Sequence, residues 1–168
     1  MKTKITGRVW KYGDDVNTDV IFPGKYTYSI TNPEEMAQHA LEDLDPTFVE
    51  QVRPGDIIVA GKNWGCGSSR EQAVVCLKEL GVGAIVARSF ARIYFRNAIN
   101  YALPIVSCDA VDGVAAGQEI TIDFERGVVA TSAGTYTFEP MPPEVMGILE
   151  AGGLIPYVRK QLGIVDAL

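Results

Sequence analysis

The stretch that decides the fold is residues 56–108, which read DIIVAGKNWGCGSSREQAVVCLKELGVGAIVARSFARIYFRNAINYALPIVSC. Short apolar runs alternate in it with segments of helical periodicity. Strands that alternate with helices in this way predict a parallel sheet with crossover helices, that is, an α/β fold. The predicted elements are a strand at 56–60, a helix at 70–80, a strand at 82–89, a helix at 90–102 and a strand at 103–108.

The segments on either side add an opening strand, a long loop and a set of shorter strands and helices. Short alternating runs predict antiparallel strands. The flanking elements are a strand at 5–13, a loop at 14–33, a helix at 33–44, strands at 118–124, 127–131 and 135–140, and one or two closing helices at 144–163. We therefore expect one domain over residues 1–168, with a central, mostly parallel sheet, flanking helices and a β-rich annex.

Composition and charge exclude several classes of protein. Of the 168 residues, 47% are hydrophobic and 21% are charged, which is typical of a packed globule and not of a disordered chain. No stretch of about 18 residues lacks charges, so no membrane span is predicted. Lys and Arg total 15 against 21 Asp and Glu, for a net charge of −6, whereas nucleic-acid binding needs a basic face. No nucleic-acid or membrane partner is expected.

The cysteines predict neither a disulfide framework nor a metal site within this chain. Cys66, Cys76 and Cys108 are odd in number and form no C-x-x-C pair. The N-terminal segment MKTKITGRVWKYGDD lacks the apolar core of a secretory signal. Free thiols without an export signal predict a cytoplasmic location.

Residues 63–71, NWGCGSSRE, carry the most chemistry. Ser68 and Glu71 fit a capping box, in which the serine caps a helix and the acid reaches back. The same segment also fits a carboxylate or phosphate site, because backbone N–H groups, two hydroxyls and Arg70 converge at a helix N-terminus. Both interpretations stay open on the residues alone. Cys66 has no histidine partner that would make it a nucleophile, so a packing role is favoured.

Three motifs follow one another along the chain: NTDVIFPGKY at 17–26, GCGSSREQA at 65–73 and ARSFARIYFRNAINYALP at 87–104. In this order they resemble the small subunits of 3-isopropylmalate dehydratase, the separate-chain form of the aconitase swivel domain. The resemblance covers nearly the whole chain and implies a swivelling β/β/α domain. It also implies a hydro-lyase that isomerises 2-isopropylmalate and 3-isopropylmalate in leucine biosynthesis, by reversible dehydration and rehydration.

The resemblance assigns roles to single residues. Ser68 matches the serine that removes a proton from the carbon next to a carboxylate. Ser69 and Arg70 match substrate-binding residues, and the planar fork of an arginine suits a carboxylate. Asp19 matches an acid beside the active site, where it orients Arg70 or a loop amide; an Asx-turn role is the alternative. Gln72 stands where the family often carries a histidine.

The resemblance further implies a second chain. A [4Fe–4S] cluster acts in this family as Lewis acid on the departing hydroxyl, and it is expected on a large subunit, with no metal ligands in this chain. The expected assembly is a heterodimer or heterotetramer with the active site between the subunits.

The segment KYTYSI at 25–30 lies where relatives select their substrates. Tyr26, Tyr28 and Ile30 favour an apolar branch such as isopropyl, because a buried unpaired carboxylate is costly. Lys25 is a cation that could pair with a third carboxylate, so a tricarboxylate substrate stays open as an alternative. The alternatives are therefore a homoaconitase small subunit, a dimethylmalate- or citramalate-type dehydratase small subunit, and a non-catalytic carboxylate-binding module.

Two further features are assigned to the surface. Arg88, Arg92 and Arg96 are four apart on a predicted helix, which favours a solvated or interface face over an anion groove. His39, the only histidine, is predicted as an exposed helix residue and not a general base.

Overall fold

The computed structural model describes residues 3–164. Its strands are β1 (Lys4–Lys11), β2 (Ile57–Ala60), β3 (Ala84–Ala87), β4 (Ile105–Ser107), β5 (Glu119–Asp123), β6 (Val128–Thr131) and β7 (Gly134–Thr137). Its helices are α1 (Thr18–Ile21), α2 (Pro33–Ala37), α3 (Phe48–Gln51), α4 (Gln72–Glu79), α5 (Arg92–Asn100), α6 (Pro143–Glu150) and α7 (Leu154–Gln161). Within this part of the chain, no helix is long and apolar enough to cross a membrane.

Strand β1 joins two halves of one sheet. The strand order is β4-β3-β2-β1-β5-β6-β7. Strands β1 to β4 pair in parallel, whereas β1, β5, β6 and β7 pair antiparallel. Residues 9–11 of β1 pair with β2, and residues 4–8 pair with β5. The predicted α/β core and β-rich annex are thus confirmed, and they share a strand.

Both faces of the parallel half are covered. In β2, Ile58 and Ala60 pack into one hydrophobic cluster, and Ile57 and Val59 pack into another. All four side chains are fully buried. A strand buried on both faces needs a continuous apolar run, which explains why β2 does not alternate with polar residues.

A buried carboxylate ties β1 to the segment that precedes β2. Asp56 accepts hydrogen bonds from Arg8 Nη2 at 2.8 Å, Trp10 Nε1 at 2.9 Å and the backbone N–H of Arg53 at 3.0 Å. Burial by itself raises the pKa of Asp56, but these donors hold it below its ordinary value. The carboxylate therefore stays ionised and fixes the start of β2.

Three predicted helices have different bounds in the structure. The helix predicted at 33–44 ends at Ala37, because the chain continues in turns that bury Ala40 and Leu41, the latter with φ of 57°. Helix α5 begins at Arg92 and not at residue 90, because Ala91 donates its N–H to the carbonyl of Trp64. Helix α4 begins at Gln72 and not at Arg70, with consequences for the site.

Candidate active site

The candidate site lies at the carboxyl ends of the parallel strands. The loops that follow β1, β2 and β3 meet there, at residues 12–17, 61–71 and 88–91. In α/β sheets this edge is where ligands bind, because loop backbones and helix N-termini converge on it. The Gly-rich loop, residues 61–71, is the central one of the three.

Hydrogen bonds from the loop after β1 hold the Gly-rich loop along its length. Several of its carbonyls and amides pair with that loop and with Thr18, the first residue of α1, whose hydroxyl also donates to the backbone carbonyl of Ser68. The bonds are Asp15 N to Lys62 O at 2.8 Å, Gly65 N to Val16 O at 2.8 Å, Thr18 N to Cys66 O at 2.9 Å and Thr18 Oγ1 to Ser68 O at 2.8 Å. The backbone of the loop is therefore held without using the side chains of Ser68 and Ser69.

Two glycines make this loop path possible. Gly65 has a φ of 79° and Gly67 a φ of 92°, which glycine adopts more readily than other residues. A methyl group at position 65 would also overlap the ring of Tyr94 on α5. Gly65 thus lets α5 approach the loop closely.

The hydroxyls of Ser68 and Ser69 are exposed and make no hydrogen bond within residues 3–164. The predicted capping box is wrong. Helix α4 begins at Gln72, and the side chain of Glu71 at the N-cap position makes no capping bond. Glu71 instead accepts a hydrogen bond from the Tyr101 hydroxyl at 2.6 Å, which raises the pKa of Tyr101 to about 12. Of the two interpretations of the motif, the anion site is the one that the geometry favours.

Arg70 and Asp19 form an ion pair between Nη1 and Oδ1. The Arg70 side chain is 18% exposed and that of Asp19 is 58% exposed. The local capping role in α1 belongs to Asn17, which accepts from the Val20 N–H at 2.9 Å. Of the two roles considered for Asp19, the geometry therefore favours orienting Arg70.

A cavity of about 180 Å³ opens beside the two serines and Arg70. The first two turns of α5 also line it, with Arg92, Tyr94 and Asn97. Arg92 has no ion-pair or hydrogen-bond partner in the described part of the chain. The cavity therefore combines two arginines, two free hydroxyls and the N-terminus of a helix, an arrangement that favours an anion.

The structure places the three arginines predicted on one helix face in different surroundings. Arg88 precedes α5 and pairs with Asp109 and Asp112. Arg92 lines the cavity, and Arg96 is exposed one turn further along the helix. The expectation of one shared surface face is thus wrong, because Arg88 lies outside the helix.

The segment 25–30 uses most of its side chains to hold itself in place. Ile30 is 5% exposed and packs in the core. Tyr26 stacks on His39 with 4.0 Å between ring centroids. Tyr28, by contrast, is 97% exposed. Of the three predicted substrate contacts, only Tyr28 is fully available to a substrate or a partner.

A polar cluster of Lys25, His39 and Glu42 lies beside this segment. Glu42 contacts Lys25 Nζ at 3.1 Å and His39 Nδ1 at 2.7 Å. Lys25 therefore has an acidic partner at the surface, which weakens the tricarboxylate alternative. His39 lies in a turn after α2 and is partly buried, so its prediction as an exposed helix residue is wrong.

The cysteines do not form a cluster site. Within residues 3–164, no three His, Cys, Asp or Glu residues are grouped so as to hold a metal ion. Burial raises the pKa of the Cys76 and Cys108 thiols, which disfavours the thiolate that an iron–sulfur cluster needs. The residues that the structure describes therefore do not fit a [4Fe–4S] cluster.

The fold and site define the class of protein. The family model of the aconitase C-terminal domain matches residues 15–109, the part that holds the Gly-rich loop, α4 and α5. Aconitase X from Thermococcus kodakaraensis, at 18% identity, has a related fold with a TM-score of 0.51 over 81% of this chain and 90% of that chain. The chain is an aconitase-type swivel domain.

More similar relatives narrow this class. A 3-isopropylmalate dehydratase small subunit from Heliobacterium modesticaldum is 50% identical over 95% of this chain and 97% of its own length. Another from Archaeoglobus fulgidus is 47% identical over 92% and 96%. A crystal structure of 3-isopropylmalate dehydratase from Methanocaldococcus jannaschii is 42% identical, covers 96% of each chain and gives a TM-score of 0.90. The chain belongs to the 3-isopropylmalate dehydratase small-subunit family, a family of hydro-lyase subunits.

The sequence analysis did not identify Thr18 or Asn97 as site residues, and it assigned Arg92 to a surface face. In the structure Thr18 holds the Ser68 carbonyl, and Arg92 and Asn97 line the cavity. Thr18 stands in the NTD motif, but its hydrogen-bond partner, the Ser68 carbonyl, lies 50 positions away in the chain, so the motif alone does not reveal the contact. For Arg92, its position at the first turn of a helix that follows a parallel strand was the available signal.

Proposed function

We propose that this chain supplies the proton-transfer and carboxylate-binding half of the active site of a 3-isopropylmalate dehydratase. The observation that carries the proposal is the free Ser68 hydroxyl beside Arg70 in a cavity that favours an anion. A malate bound there by one carboxylate presents the adjacent carbon to the serine. The reaction moves a hydroxyl between neighbouring carbons through an alkene.

Ser68 Oγ removes the proton from the carbon next to the carboxylate and returns it in the reverse step. A serine hydroxyl is a weak base, so its alkoxide needs nearby positive charge and N–H donors. Arg70, Arg92 and the first turn of α5 supply both. The Thr18 bond to the Ser68 carbonyl keeps the serine in position without engaging its hydroxyl.

Two arginines suit the two carboxylates of an isopropylmalate. Arg70 binds one carboxylate through its fork, with Ser69 as neighbouring donor. Arg92, which lines the same cavity, is the cation for the other carboxylate.

The remaining parts of the site come from a large subunit. The cysteines of this chain do not fit a [4Fe–4S] cluster, so the cluster that would polarise the departing hydroxyl is expected on the large subunit. Only binding and proton transfer are assigned to this chain. Tyr28, exposed at 97%, is available to contact the isopropyl branch or the large subunit. The assembly is a heterodimer or heterotetramer, and the free thiols support a cytoplasmic location.

The test is an assay of the chain reconstituted with the iron–sulfur large subunit of the same organism. We expect turnover of 3-isopropylmalate to exceed that of homocitrate, dimethylmalate and citramalate, and no turnover by the isolated chain. Preference for homocitrate or for a smaller malate would replace the isopropyl assignment with that alternative. Turnover by the chain alone, or malate binding without any large subunit that restores activity, would contradict the proposal; the latter indicates a carboxylate-binding module.

A further inference from the structure

Gly24, the residue immediately before the substrate-selecting segment 25–30, begins a single 3-10 turn, Gly24–Tyr26. Its backbone lies against the Arg70–Asp19 ion pair. A methyl carbon at position 24 would lie 2.6 Å from Asp19 Oδ1, 2.8 Å from Arg70 Nη1 and 3.1 Å from Arg70 Nη2. Comfortable non-bonded contacts begin at roughly 3.5 Å, so neither partner tolerates a side chain there without moving.

The backbone conformation does not explain this glycine. The φ of Gly24 lies outside the left-handed region, whereas the φ values of Gly65 and Gly67 lie within it. An alanine at position 24 is therefore compatible with the turn itself. The requirement for glycine comes from the ion pair that lies against it.

The surroundings leave the turn little room to retreat. Pro23, which precedes Gly24, is buried, and Tyr26, at the end of the turn, stacks on His39. Arg70 is 18% exposed and its Nη1 is enclosed. A side chain at position 24 would therefore separate the guanidinium from Asp19, which orients it.

We propose that Gly24 is a positioning residue for Arg70: the bare Cα at this position sets where the guanidinium lies in the cavity. This inference rests on the proposed function of Arg70 as the carboxylate ligand. It also links the two predicted substrate-binding regions, because the turn that leads into residues 25–30 contacts the arginine of the Gly-rich loop. Bulk at position 24 acts on carboxylate binding through Arg70.

The kinetic test compares Gly24→Ala with Ala133→Ser in the complex reconstituted with the large subunit. Position 133 is the control, because this substitution also adds one heavy atom, but at an exposed turn between β6 and β7, on the antiparallel side of the sheet. We expect Gly24→Ala to lower kcat/KM by roughly 10- to 100-fold, mainly through KM, since a misplacement of about 1 Å can cost 10²-fold. Kinetics equal to those of Ala133→Ser would overturn the inference.

A double-variant cycle tests whether Gly24 acts through Arg70. In an Arg70→Lys background the fork is gone, so adding Gly24→Ala should change kcat/KM by less than about 2-fold. If Gly24→Ala lowers kcat/KM by the same factor in the Arg70→Lys background as in the wild-type background, the inference is overturned. If Gly24→Ala alone fails to fold, the double variant should fold, because the crowded guanidinium has been removed; failure of both would equally contradict it.

A crystal structure of the Gly24→Ala chain separates this inference from the proposed function. We expect the Arg70 guanidinium to be displaced from Asp19. An unmoved ion pair would overturn the inference whether or not the reconstituted enzyme is active. Absence of isomerase activity in the wild-type complex would instead contradict the proposed function and leave the structural comparison to decide the role of Gly24.

Discussion

The Gly-rich loop and the segment 25–30 were both predicted to contact substrate, yet they are held in opposite ways. Backbone hydrogen bonds from the neighbouring loop hold the Gly-rich loop, so the hydroxyls of Ser68 and Ser69 stay free. Side chains hold the segment 25–30, with Ile30 in the core and Tyr26 on His39. A side chain that fixes its own loop is not available for chemistry. The difference therefore separates residues expected to affect catalysis from residues expected to affect stability.

The largest expected effect is at Ser68. Ser68→Ala should lower kcat by roughly 10²- to 10⁴-fold, the range typical of a lost general base. Binding to the large subunit should persist, because the loop backbone does not depend on this hydroxyl. Steady-state kinetics and a binding titration measure both. Ser132→Ala, at an exposed turn between β6 and β7, is the control. Near-normal turnover by Ser68→Ala would contradict the base assignment.

Next in size is the stability effect of Ile30. Ile30→Ala should lower the free energy of unfolding by about 2–5 kcal/mol, since it removes a buried side chain from a packed core. Tyr28→Ala, two positions away and exposed, should change it by less than about 0.5 kcal/mol. Urea unfolding of the isolated chain measures both values. If Ile30→Ala and Tyr28→Ala lowered the free energy of unfolding equally, the two side chains would share the same environment, contrary to the structure.

Arg70→Lys is expected to have a smaller but specific effect. Lysine keeps the charge and loses the fork, and hydrogen bonds to charged groups are worth about 1.5–3 kcal/mol. KM for the malate should therefore rise by roughly 10-fold or more while kcat changes less. Arg96→Lys, exposed on α5, serves as the control. An unchanged KM would show that the carboxylate is bound elsewhere.

The smallest effect is expected at Arg92. This side chain is more exposed than that of Arg70, and solvent screens its charge, so Arg92→Gln should raise KM by roughly 10-fold at most. Arg96→Gln, one turn further along α5 and outside the cavity, should leave KM unchanged. Parallel changes in the two variants would indicate a general field effect and not a carboxylate contact.

Much of the site and fold could be predicted because the signals are local. The strand and helix pattern at 56–108 predicted the parallel half of the sheet, and the serines and Arg70 were identified from one short motif. The capping box failed for a tertiary reason: Tyr101 engages the Glu71 carboxylate, and the Ser68 carbonyl is held by Thr18. Similarly, the predicted helix at 33–44 stops early because Leu41 turns into the core.

The sequence by itself determined the α/β core, the Gly-rich loop with its two serines, and the family, because apolar periodicity and motif spacing are properties of neighbouring residues. Only the tertiary structure decided that Arg70 pairs with Asp19, that Arg92 and not Arg88 lines the cavity, and that Gly24 lies against the guanidinium. These facts depend on contacts between loops far apart in the chain. The parallel sheet brings those loops together because it carries the carboxyl ends of its strands to one edge.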